Sequence, residues 1–131
     1  MRVDDPGDIR KEMLSWSEPV LGDRIVEAYA ACFGDNHEHL RLVARQHIRL
    51  WRMIIAQDKR RAAEARRDLL RLAALGRLGV EAVDAIDRLV LDELIDVTAA
   101  RFQGSPVMAR RYSRAMIEAA TTLTETRFVA A

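Results

Sequence analysis

The side chains able to do chemistry are few: three histidines, one cysteine and two tyrosines stand among 131 residues. Asp35, Asn36, His37, Glu38 and His39 gather metal-ligand types in one run. Neighbouring helical positions point in different directions, however, so His37 and His39 do not share a face. The run lacks the histidine pair at i and i+4 and the repeated Glu-x-x-His of helical metal sites, so a helix cap is expected and no metal. His47 is different, because it falls on an apolar stripe four residues before Trp51. A buried imidazole needs a hydrogen-bond partner or a ligand. The expected role is a satisfied core histidine packed on Trp51, with cofactor binding or proton transfer as the alternative. Tyr29 could line a pocket with its hydroxyl or reach solvent. Cys32, beside Phe33, reads as a small packing residue and excludes an internal disulfide.

No glycine-rich phosphate loop, nucleophile elbow or catalytic pair of carboxylates is present, so no catalytic residue is assigned. Lys59, Arg60, Arg61, Arg66, Arg67, Arg71 and Arg77 form a basic segment over 59–77, interrupted by Glu64 and Asp68. Glu81, Asp84, Asp87, Asp92, Glu93 and Asp96 follow it. Opposite runs on successive helices favour neutralisation within the fold or across a dimer, which makes nucleic-acid binding the lesser expectation. The balance of 21 Lys and Arg against 20 Asp and Glu supplies no global attraction to nucleic acid or anionic membrane.

These residues must be positioned by helices. Half the chain is hydrophobic and 31% is charged, with three prolines and six glycines, a balance suited to one domain over residues 1–131. No stretch alternates like a strand, and no repeat or long linker appears. The spacing predicts a short helix over 8–16, with 1–16 a loosely held N-terminal segment. A second helix is expected over about 18–33, capped by Ser17 and opened by Pro19. Gly34 to Asn36 should form a turn. Leu40, Val43, His47, Leu50, Trp51 and Ile54 mark one face of the next helix, with a break expected near 57–61. Leu69 to Leu75 resume the pattern until Gly76 and Gly79 interrupt it. A long helix over 80–103 carries Val83, Ile86, Val90, Leu94 and Val97. Gly104, Ser105 and Pro106 then start the last one, striped by Met108, Tyr112, Ala115, Met116, Ala119 and Leu123. The fold class is therefore all-α. No apolar run nears the ~20 residues of a membrane span, and a cytoplasmic location is expected.

From about Leu21 to Leu123, the order of these pieces resembles the globin domain of bacterial globin-coupled sensors, including related sensor globins that have lost haem. Tyr29 and Phe33 lie in an early helix, His47 and Trp51 in the next long one, followed by Leu70 to Val80 and two long final helices. Laying Arg77, Leu78, Gly79 and Val80 on the family's Val-Gly or Ile-Gly turn puts Leu75 where the proximal histidine would stand. Leucine cannot ligate iron. The resemblance implies a globin-like bundle without haem, its pocket lined by Tyr29, Phe33, His47, Trp51 and Leu75. It also implies an input module that signals to an output domain or partner protein and forms a homodimer through its last two helices, with Met108, Tyr112, Ala115, Met116, Ala119 and Leu123 as the expected interface. Two other functions are open: a small transcriptional or adaptor regulator using 59–77, and a haem-based gas sensor using His47 with Tyr29.

Overall fold

The computed structural model describes residues 6–33 and 37–130, and the side chains of 9–32 and 38–127. Five helices account for the architecture: α1 (Pro6–Phe33), α2 (His37–Ile55), α3 (Lys59–Leu75), α4 (Val80–Arg101) and α5 (Pro106–Ala130). There is no strand among the described residues, so the all-helical bundle expected from the spacing is the observed one. α1 packs along α2 and crosses α4 and α5, α3 lies between α2 and α5, and α4 rests on α5. α3 touches α4 least of all the packed pairs.

Ser17 does not open a second helix, and α1 runs unbroken through Pro19. Ser17 is buried and its hydroxyl donates to the Met13 carbonyl one turn back. Pro19 lacks the amide that would bond to the carbonyl of Ser15, but both residues are exposed, where water can serve that carbonyl. Nor is the N-terminal segment loose from residue 9 onward. Ile9 and Met13 enter the core. Trp16 meets Phe102 edge-on at 6.2 Å between ring centroids and Tyr112 at 6.0 Å, and those two rings stack at 4.3 Å. Aromatic contact of this kind fastens α1 to the α4–α5 corner. Tyr112 also donates to Glu12 Oε2 at 2.5 Å, and burial together with that carboxylate pushes its pKa up to about 12.

The break expected near 57–61 is a three-residue turn in which Gln57 is left-handed (φ 61°) and the Asp58 amide donates to the Met53 carbonyl at 3.0 Å. Asp58 then caps α3 by accepting from the Arg61 amide. After α3 the same device recurs, with Arg77 at φ 64° and the Leu78 amide donating to the Ala73 carbonyl at 2.9 Å. Arg77, rather than Gly76 or Gly79, takes the left-handed conformation there. The Gly34 to Asn36 turn lies outside the described residues. α3 presents Ala62, Ala63, Ala65, Leu69 and Ala73 inward, and its small side chains admit α2 and α5 at close range. On α4 the expected stripe is realised by Val83, Ile86, Val90 and Leu94. Met13→Ala should therefore lower stability by about 3 kcal/mol in urea unfolding, whereas a loosely held segment would leave the midpoint unchanged.

Candidate functional site

Asp87 sits on the inward stripe of α4 between Val83 and Val90, fully buried. Its Oδ1 accepts from His47 Nε2 at 2.5 Å and from the Trp51 indole at 3.0 Å, and its Oδ2 from Arg66 at 3.0 Å. His47 turns its other nitrogen, Nδ1, to the Tyr29 hydroxyl at 2.6 Å. Arg66 also donates to Asp84 Oδ1 at 2.5 Å, and Arg127 stands 3.4 Å from Asp84 and 3.8 Å from Asp87. One carboxylate thus collects groups from α2, α3 and α5, and reaches α1 through His47. Among the described residues no α-carbons of α2 and α4 approach within 8 Å, so His47 and Trp51 bridge a gap that backbone packing leaves open.

The electrostatics are consistent with this geometry. Burial would raise the Asp87 pKa, but the His47 hydrogen bond and charge, followed by those of Arg66, outweigh it and hold the group below its ordinary value. The Tyr29 pKa is pushed up by burial and then by the nearby Asp87 charge, so the hydroxyl stays protonated and available as a donor. An ionised Asp87 only accepts, so His47 donates to it through Nε2. In the neutral imidazole, Nδ1 then accepts from Tyr29. Two aspartates face two arginines.

A tyrosine, a histidine and a carboxylate in series form a chain of the kind used for proton relay. Here Tyr29, His47 and Asp87 all have zero solvent exposure, and both ring nitrogens are engaged. The chain joins α1, α2 and α4. An iron at His47 would have to displace either Tyr29 or Asp87 from the ring.

Tyr29, His47 and Trp51 are therefore together as expected, but as a filled polar core rather than pocket lining. Leu75 does not join them: it lies at the exposed end of α3, 77% accessible. The Phe33 side chain lies outside the described residues, as does that of His37. His39 Nε2 donates to the Leu72 carbonyl at 2.7 Å, joining α2 to α3. Cys32 is exposed rather than packed. No group of three ligand-type side chains that could hold a metal ion occurs among the described residues.

The basic segment also resolves differently from a continuous surface. Lys59 pairs with Glu125, Arg60 with Glu64, Arg61 with Asp58 and Arg71 with Asp68. Arg66 is 2% exposed and spoken for by Asp84 and Asp87, so it cannot meet a phosphate. Neutralisation by the following acidic helix happens inside the fold, at this one arginine. The signal for Asp87 was the same as for His47: a polar residue on an otherwise apolar stripe. Arg66 had no comparable mark among its charged neighbours. The sequence pattern also misplaced the outward face of α5, because Tyr112, Met116, Ala119 and Leu123 are buried within the chain, with Met108 and Ala115 packed against them. They supply intramolecular core rather than an outward face, and of the six only Met116 also borders the groove between α4 and α5.

No family model, curated protein or solved structure matches this chain. The site and fold thus define an all-helical domain with an internal ion cluster. Among the described residues no helix is long and apolar enough to cross a membrane.

Asp87→Asn should cost about 3–5 kcal/mol, because Arg66 is left buried beside a neutral amide. Tyr29→Phe should cost about 1–2 kcal/mol by removing the donor to His47. Because the Asp87 pKa is depressed on folding, its stabilisation is complete above the unfolded value of about 4 and disappears as pH falls through the folded one. Urea midpoints measured from pH 6 to pH 2 should therefore fall more steeply for the wild type than for Asp87→Asn.

Proposed function

We propose that the chain is a cytoplasmic, non-enzymatic regulatory input domain of sensor-globin type that works without haem and transmits a signal through helix packing in a homodimer. The observation that carries this reading is an apolar groove between α4 and α5, lined by Leu91, Ile95, Ala99, Met116, Ile117 and Ala120 and enclosing about 380 Å³. Ile95 is 48% and Ile117 66% exposed, so two large apolar side chains border the groove from adjoining helices. Charge supports a second copy as the occupant. Asp92 and Asp96 follow the α4 groove residues, whereas Arg110 and Arg114 lie on α5, all four exposed. A two-fold axis that lays α4 of one protomer on α5 of the other brings the acidic edge to the basic edge twice. The outcome is a four-helix interface built from the last two helices, with an outward residue set that replaces the buried stripe.

Signal transmission follows from shared helices. Asp84 and Asp87 on α4 and Arg127 on α5 belong to the ion cluster, and the groove lies farther along the same two helices. A rearrangement of the cluster would shift both walls of the interface. The sealed Tyr29–His47–Asp87 chain supports a non-enzymatic role.

Light scattering should report a dimer at micromolar concentration, and Ile95→Glu combined with Ile117→Glu should yield a monomer with an unchanged helical spectrum. A wild-type monomer at about 100 µM would remove the dimeric mechanism. Haem titrated into the purified protein should give no stoichiometric complex in the visible spectrum. A one-to-one complex abolished by His47→Ala would replace this reading with gas sensing.

A further inference from the structure

The outward face of α2 carries Arg41, Arg45 and Arg49 at steps of four, a straight row about 12 Å long on one side of the helix. All three are exposed. Among the described residues none takes part in an ion pair or hydrogen bond, in contrast to Lys59, Arg60, Arg61, Arg66 and Arg71 on α3, each tied to a carboxylate of its own chain. Arg52 extends the same face and is paired with Glu18. Glu38, in the first turn, is the only acid on the helix. Leu42, 48% exposed, stands beside the row. The helix thus turns His47 and Trp51 inward to the ion cluster and three guanidinium groups without a partner among the described residues outward.

We infer that this face is a docking site for an acidic amphipathic helix of a partner protein, its carboxylates repeating at i, i+4 and i+8 against the three arginines and an apolar residue covering Leu42. The Arg41–Arg45–Arg49 row and its absent counter-charges carry this assignment. Guanidinium forks suit carboxylates, which they engage through paired hydrogen bonds. A duplex nucleic acid fits less well. Proteins that hold it by charge typically neutralise six to ten phosphates across a broad surface. Here the unpaired charge is one helix wide, the α3 cations beside it are largely compensated, and a phosphate backbone gains nothing from Leu42. The α4–α5 groove is on other helices, so the assignment goes beyond the dimer and stands or falls separately from it.

The test uses the full chain and two fluorescent alanine-based helical peptides of equal composition. One carries glutamates at i, i+4 and i+8 beside a leucine, and the other has the same residues dispersed around the helix. Fluorescence anisotropy at 50 mM salt should show the aligned peptide binding about fivefold more tightly than the dispersed one. Replacing Arg41, Arg45 and Arg49 together by Gln should weaken it about tenfold, the sum of three surface pairs. The helical spectrum should be unchanged, because glutamine sustains a helix as well as arginine. Should that variant fail to fold, an aligned peptide with lysines in place of the glutamates supplies the same test on the wild type and should not bind. Equal affinity for aligned and dispersed peptides, retention of binding by the folded triple variant, binding of the lysine peptide, or tighter binding of a 20-base-pair DNA duplex would each overturn the proposal.

Discussion

The Asp87 carboxylate is the interaction on which the arrangement of helices depends. A buried charge without partners costs several kcal/mol, and ionised Asp87 escapes that cost only because His47, Trp51 and Arg66 converge on it from two other helices. Each of those donors is in turn fixed by something else: His47 by Tyr29, Arg66 by Asp84, and Trp51 by burial in the core. The geometry at Asp87 therefore specifies the relative placement of α1, α2, α3 and α4. Apolar packing drives the collapse of these helices, but greasy faces tolerate small rotations and slides. An arginine bridging Asp84 and Asp87 and an imidazole, all within 3.0 Å, tolerate far less.

Amphipathic spacing made most of the fold legible. The inward stripes of α2 and α4, the break after Ile55 and the start of α5 at Pro106 all follow from apolar periodicity and turn chemistry. Two failures have a common physical cause. Pro19 and Ser17 look locally like a helix start, and Met108 to Leu123 look locally like an outer face available for pairing. In both cases the deciding contacts are distant, since Trp16 closes on Phe102 and Tyr112 from the far end of the chain. Local signals report which side chains should be covered, not whether the cover comes from within the chain.

The polar core was only partly legible for a related reason. His47 stood out because an imidazole interrupted an apolar row, and Tyr29 and Trp51 were drawn in beside it. Asp87 breaks a row in the same manner, yet in the sequence it is one of six acidic residues whose run as a whole points to neutralising the basic 59–77 segment. Arg66 was one cation among seven. Pairing each buried base with its buried acid requires knowing how α3 and α4 lie across one another, information that no periodicity within either helix contains. Leu75 shows the converse: assigned to a pocket through its position before a turn, it ends outside because α3 stops with that turn of helix facing solvent.

The convergence on Asp87 also restricts how this sequence can drift. Asp87 touches residues 21, 36 and 40 positions away, and Arg66 bridges to Asp84 as well. Losing any one member strands a charge or a donor belonging to another helix, so single substitutions here pass through a poorly folded intermediate. Several simultaneous changes to well-packed apolar residues of similar volume would be tolerated far better. The cluster is thus a mutational bottleneck: it can be kept whole or exchanged whole, with few viable sequences between.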